Sequence, residues 1–169
     1  MGVSFLAQND LNSLPFTLDD YRYLIRLARN HYQFVFYDRA GETNNPEPIV
    51  FWYHDIDFSP SRAVQLAEIE AEEGVQSTFF VHLHSAFYHF WEPYTIEQIR
   101  RLIKLGHQIG LHFDSHFYGD YLGNNLPKKI KEESVLLQDL IAQPVRVFSF
   151  HNTTPHILEV YLDDHRWID

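Results

Sequence analysis

The sequence predicts an α/β protein built on parallel strands, a partial or distorted (β/α) barrel. Three observations carry this reading. From residue 49 onward the order is strand, helix, strand, helix, strand, helix, strand, and such alternation requires parallel strands joined by right-handed crossovers. The apolar run Ile49–His54 is too short for a helix and is flanked by prolines. A closed eightfold barrel takes about 250 residues, whereas this chain of 169 residues stops soon after its fourth parallel strand. A partial barrel, or a piece of a longer one, is therefore expected.

The elements follow in order. Thr17 caps a helix with Asp19 and Asp20 in its first turn and Tyr23, Leu24, Leu27 and Ala28 on one face. Gln33–Tyr37 reads as a short strand, so an N-terminal helix and strand occupy 17–37. Residues 38–48 form a loop punctuated by Gly41, Asn44, Asn45, Pro46 and Pro48. Ile49–His54 is a buried strand. Ser59 before Pro60 starts a helix that runs to about Glu73 and stops at Gly74. Ser77–Leu83 is a strand. Thr95 and Gln98 form a capping box for the next helix, closed by Gly106. His107–His112 is a strand, Pro127–Ala142 a helix with Ile130, Leu137 and Ile141 on one face, and Val145–Phe150 the last strand.

Composition narrows the function. With 45% hydrophobic and 21% charged residues the chain is neither disordered nor a coiled coil. Its length fits one domain, residues 1–169. It has no cysteine, so any metal is held by nitrogen and oxygen. A net charge of −10 repels phosphate backbones, which argues against a nucleic-acid partner. No apolar run reaches the ~18 residues of a membrane span. The Met1–Leu11 stretch has no basic, then long apolar, signal pattern. Leu6 stands where a myristoylation signal needs Ser or Thr, and a cytoplasmic location is the default expectation. Eleven His point to metal or acid–base chemistry; 14 Phe, 10 Tyr and 3 Trp point first to a ring-rich core.

In parallel sheets the chemistry lies at the carboxyl ends of the strands. There the sequence places His54-Asp55-Ile56-Asp57, His112-Phe113-Asp114-Ser115-His116 and His151-Asn152. Two imidazoles and a carboxylate with open positions form a recurrent catalytic zinc or iron set, and a further carboxylate is then free to act as a base. His82 and His84 share one side of their strand, but the sequence places no carboxylate or third His to complete a site there. His54 either orients Asp55 or fills the rim, and Asp114 is a candidate partner for a ligand imidazole. Tyr53, Trp91 and Tyr118 are candidates for stacking on a sugar ring, although each also reads as a core or lining residue.

The stretches Trp52–Pro60, Gly74–Phe80 and above all Gly106–His116 resemble the polysaccharide deacetylase (NodB-homology) family, in its branch with H-D-x-D in place of T-F-D-D-G. The resemblance covers roughly residues 49–156. It implies a distorted parallel (β/α) barrel that removes N- or O-acetyl groups from sugars with a divalent metal, zinc first, with cobalt or nickel as substitutes. By position it implies Asp55 as general base, Asp57 as carboxylate ligand, and His112 and His116 as the His ligands. Ser149-Phe150-His151 stands where the family's third motif has Arg and an aromatic residue, which leaves the role of His151 open. The family's later motifs, including the His that protonates the leaving amine, fall beyond Asp169, so the sequence resembles a C-terminally truncated member.

Two other functions fit the same residues: a non-catalytic, metal-containing carbohydrate-binding or scaffold domain, and a metal-dependent hydrolase of small amides. Retention of both Asp55 and Asp57 favours catalysis, since metal binding alone has no use for Asp55. An unclosed barrel leaves a strand edge open, and Tyr161 and Trp167 have little sequence after them to bury them. A homodimer through that edge, or a chain marginally stable and inactive alone, is the expected consequence.

Overall fold

The Thr17 cap forms as expected: its hydroxyl accepts from the Asp20 N–H, and the Asp20 carboxylate accepts from the Thr17 N–H at 2.8 Å. The helix it opens, α1, spans Leu18–Arg29 in a computed structural model that describes residues 17–39, 48–119, 122 and 125–153. The Met1–Leu11 stretch, most of the 38–48 loop, and Tyr161 and Trp167 lie outside the described residues.

Two short strands, β1 (Gln33–Phe34) and β2 (Ile49–Val50), pair in parallel. The main sheet follows: β3 (Tyr53–Ile56), α2 (Pro60–Glu72), β4 (Thr78–Val81), α3 (Pro93–Lys104), β5 (Gln108–Asp114), α4 (Leu126–Ile141) and β6 (Phe148–His151). Its four strands are parallel and lie in sequence order, β3-β4-β5-β6. This is the expected partial barrel. Among the described residues no helix is long and apolar enough to cross a membrane.

Several boundaries differ from expectation, each for a local reason. The strand expected at 33–37 ends at Phe34, because its partner β2 is only two residues long. The chain then turns through Tyr37–Arg39 and lays the Tyr37 ring against Phe51, Tyr53 and Phe80. The run at 49–54 is two strands, since the chain changes sheets at Phe51 and Trp52. The third helix begins at Pro93 rather than at a Thr95 cap; proline at the first turn sets its start, Glu92 makes no side-chain cap, and Thr95 and Gln98 are buried within it. The strand at 77–83 stops at Val81. There the Tyr88 hydroxyl accepts from the His82 N–H at 3.1 Å and shares its proton between the His82 and Ile56 carbonyls.

Period two divides the sheet into unlike faces. Ile56, Phe79, Val81, Leu83, Ile109, Leu111 and Phe113 point outward into a core shared with Ile99, Leu102, Ile130 and Leu137 of the helices. A second, smaller cluster holds α1 against α2 through Tyr21, Ile25, Ile69 and Val75. Between the two clusters lies a carboxylate, Glu70, with no solvent exposure. It accepts from the Tyr21 hydroxyl, from Ser77 Oγ at 2.5 Å and from His54 Nε2 at 2.6 Å. Burial alone would raise its pKa, but these donors hold it below the ordinary carboxylate value.

At the end of α2, Glu73 accepts from Arg26 at 2.8 and 2.9 Å and from Arg22 at 2.8 Å. These hydrogen bonds, Arg26 first, hold its pKa at about 2 instead of 4.5. A depressed carboxylate pKa stabilises the fold above the unfolded value and loses that stabilisation as the pH falls through the folded one. Glu73→Gln is therefore expected to lower the melting temperature at pH 7. Scans at decreasing pH should show the gap between variant and wild type closing from about pH 4.5 toward pH 2.

Candidate metal centre

The inner face of the sheet carries the chemistry. Successive register rows place Tyr53 beside Thr78 and Gln108, Asp55 beside Phe80 and Gly110, and His112 beside Ser149, with Asp114 beside His151. Asp57 and His82 continue the same alternation just past the ends of β3 and β4. The lower part of this face is filled by rings: Phe80 is fully buried, in edge contact with Tyr37 and Tyr53. Gly110 makes room for it, since a Cβ there would meet the Phe80 ring at 2.5 Å and Val147 at 3.0 Å. Above this floor the face becomes polar.

Three donor atoms form a small triangle at the rim. Asp57 Oδ1 lies 3.2 Å from His112 Nε2 and 3.3 Å from His151 Nδ1, and the two ring nitrogens are 3.1 Å apart. His82 belongs to an overlapping, looser group with Asp57 and His151, whose ligand atoms all lie within 4.8 Å of one another. Its ring lies 4.4 Å from that of His151. Burial, and then the neighbouring His151 and His112, push the His82 pKa down to about 4, which keeps it neutral with a lone pair to offer. Burial likewise lowers His112. The His82 and His112 side chains are only 6% and 3% exposed, whereas Asp57 keeps 31%, so the triangle is open to solvent on its aspartate side.

Two buried atoms here have no hydrogen-bond partner among the described residues, Asp57 Oδ1 and His82 Nε2. Buried polar atoms are nearly always satisfied, so orphans at a cluster of this kind mark a place where a water or an ion can bind. The donor set fits one. With arms of ~2.0–2.1 Å to His N and Asp O, a tetrahedral ion sets its ligand atoms about 3.3 Å apart, close to the three edges observed.

The predicted residues divide into two groups. Asp55, Asp57, His112 and His151 come together. Asp55 Oδ1 accepts from Ser149 Oγ at 3.2 Å and lies 3.5 Å from His112 Nδ1. His116 stands outside the triangle on a short helical turn, half exposed, with Asp114 as its ion-pair partner at 3.5 Å. Asp114 also accepts from the His116 N–H at 2.9 Å and lies 3.7 Å from His82 Nε2. His54 points to the opposite face, stacked on Phe79 and bound to Glu70, because adjacent residues in a strand alternate. Tyr118 donates to Glu133 at 2.5 Å and packs against Phe113. Trp91 is exposed beside Phe90, and Tyr53 is half exposed above the ring floor.

The reading of His82 and His84 needs correction. A carboxylate and a third His do stand beside His82, namely Asp57 and His151. His84 is not its partner: with the strand ended at Val81, His84 turns to Glu133 at 2.9 Å and stacks on Phe117. The alternation Phe80, His82 was a signal for the inner face, but only the fold shows what lies across from it.

No protein-family model and no curated protein sequence matches the chain. Among solved structures it is similar to a Streptococcus pyogenes deacetylase, PplD, in complex with acetate. The TM-score is 0.62 over 92% of this chain and 73% of that one, at 14% sequence identity. That likeness shows the fold: a parallel partial barrel of the kind found in that deacetylase.

The ring floor has a direct test. Gly110→Ala forces Phe80 or Val147 to move in a packed layer, and overpacking of this kind costs about 1–3 kcal/mol. Chemical denaturation should show a loss of that order, whereas Gly119→Ala, with open space around its Cβ position, should cost less despite its φ of +52°.

Proposed function

We propose that the chain is a metal-dependent hydrolase that removes N- or O-acetyl groups from a carbohydrate. The observation that carries this is the triangle of Asp57, His112 and His151, with Asp55 beside it, on the open rim of a deacetylase-like barrel. The structural neighbour is itself described as a deacetylase in complex with acetate, which supports an acetyl substrate.

In this reading Asp57, His112 and His151 hold the metal, His82 borders it, and His116 stays on the rim with Asp114. When bound, the cation (zinc, or cobalt or nickel in its place) would act as a Lewis acid and lower the pKa of its water toward about 7. Asp55 would take the water's proton. Its Oδ1 is engaged by Ser149, and Oδ2 has no partner among the described residues, so Oδ2 is the oxygen positioned to act as base. The exposed side of Asp57 is the side from which an acetyl group can approach.

Elemental analysis of protein purified without chelator should find close to one divalent metal per chain. Asp57→Ala, His112→Ala and His151→Ala should each remove most of it, while His116→Ala should retain it. Loss on His116→Ala with retention on His151→Ala would restore the ligand pair that the family resemblance implies. Asp55→Asn should abolish acetate release from acetylated amino sugars, a loss of at least the 10²–10⁴-fold typical of a missing general base. Wild-type protein that is loaded with metal but inert on acetylated sugars and small amides alike would leave the non-catalytic module as the function.

A further inference from the structure

Ser149 sits between the candidate base and a candidate ligand, and the bonds it makes fix where the protons are. Its Oγ lies 3.2 Å from Asp55 Oδ1 and 2.7 Å from His112 Nδ1. A carboxylate can only accept, so the single hydroxyl proton of Ser149 goes to Asp55. Toward His112 the same oxygen can then only accept, which requires the proton of the imidazole to be on Nδ1. In a neutral ring that leaves Nε2 bare, and Nε2 is the atom that faces Asp57 Oδ1 and His151 Nδ1.

We propose that Ser149 is a positioning residue that locks His112 in its Nδ1–H tautomer and couples that ring to Asp55. The proposal rests on the metal reading for its purpose, because a ligand imidazole needs one bare nitrogen and gains basicity when its other N–H is hydrogen-bonded. It goes beyond that reading in giving Asp55 a second task. Through Ser149, Asp55 Oδ1 steers the ligand ring, and only Oδ2 remains for water. The geometry is available because His112 and Ser149 are register partners in β5 and β6, with side chains on the same face. Thr at position 149 preserves the hydroxyl; Ala removes it and leaves the one ring proton free to sit on either nitrogen.

The deciding measurement is the histidine ring ¹⁵N spectrum of metal-free wild-type protein and of Ser149→Ala and Ser149→Thr, with His112 assigned by its own substitution. Wild type and Ser149→Thr should show His112 protonated at Nδ1 and bare at Nε2, and Ser149→Ala should show a mixture. A wild-type ring protonated at Nε2, or a Ser149→Ala spectrum identical to wild type, overturns the proposal. Zinc affinity measured by chelator competition should fall about 10–100-fold in Ser149→Ala and recover in Ser149→Thr; unchanged affinity in the alanine variant also overturns it. If wild type takes up no zinc, the metal reading fails, and the metal-free spectrum still decides the tautomer.

Discussion

Strand alternation in a sheet with one apolar face is the constraint on which the rest depends. Leu111 and Phe113 are buried outward against the helices, so Gly110, His112 and Asp114 must face inward. A slip of one residue in β5 would bury His112 among leucines and expose two large apolar side chains, so the register is fixed by the cost of that exchange. The same argument applies to β4, where Phe79 and Val81 point outward and Phe80 and His82 inward, and to β3 with Ile56 against Asp55 and Asp57. The donor atoms meet at the rim because β3 and β4 end in the row of Ile56, Val81, Leu111 and Phe148, and the inward side chains that come after that row, on all four segments, converge there.

Much of this was legible in the sequence, and the part that was not has a physical cause. The order of elements, the Thr17 and Ser59 caps and the parallel topology follow from local patterns. Asp55, Asp57, His112 and His151 were visible as polar residues at strand ends. What could not be read was which of them meet. His112 and His116, four residues apart, look paired only if the chain coils helically between them. Asp114 instead caps a short turn that swings His116 outward. His82 lies beyond the last ladder residue of its strand, and its neighbours come from segments 25 and 69 residues away in sequence (57 and 151), a relation that periodicity does not contain.

His54 shows how the two faces divide labour. It precedes Asp55 directly, yet alternation sends its ring to the helix side. There it shares the Glu70 carboxylate with Tyr21 and Ser77. Glu70 lies between α1, α2 and the first strands, so a buried charge that would otherwise be destabilising is distributed over donors from several elements. Removing one donor leaves the rest to carry a desolvated carboxylate, and this ties the position of α1 to that of β3. The strand that carries Asp55 and Asp57 is in this way anchored from behind, by polar contacts that make no approach to the rim.

The two carboxylates, Glu70 and Asp57, make the clearest comparison in the molecule. Glu70 is wholly buried and amply supplied with donors, so its hydrogen-bonding capacity is used up by the fold. Asp57 has a buried oxygen with no hydrogen-bond partner among the described residues, although two ring nitrogens lie within 3.3 Å of it. One of those rings is a poor source of a proton. His112 is shifted downward by burial, in the proposed tautomer its N–H is given to Ser149, and His82 nearby is held near 4. A fold able to satisfy Glu70 so completely had the same means at Asp57, where an unsatisfied buried charged group costs more than the roughly 1–3 kcal/mol of a neutral one. His82 and His112, both shifted downward beside an unpaired carboxylate oxygen, leave a place short of positive charge, and in the proposed metal reading a divalent cation would remove that deficit.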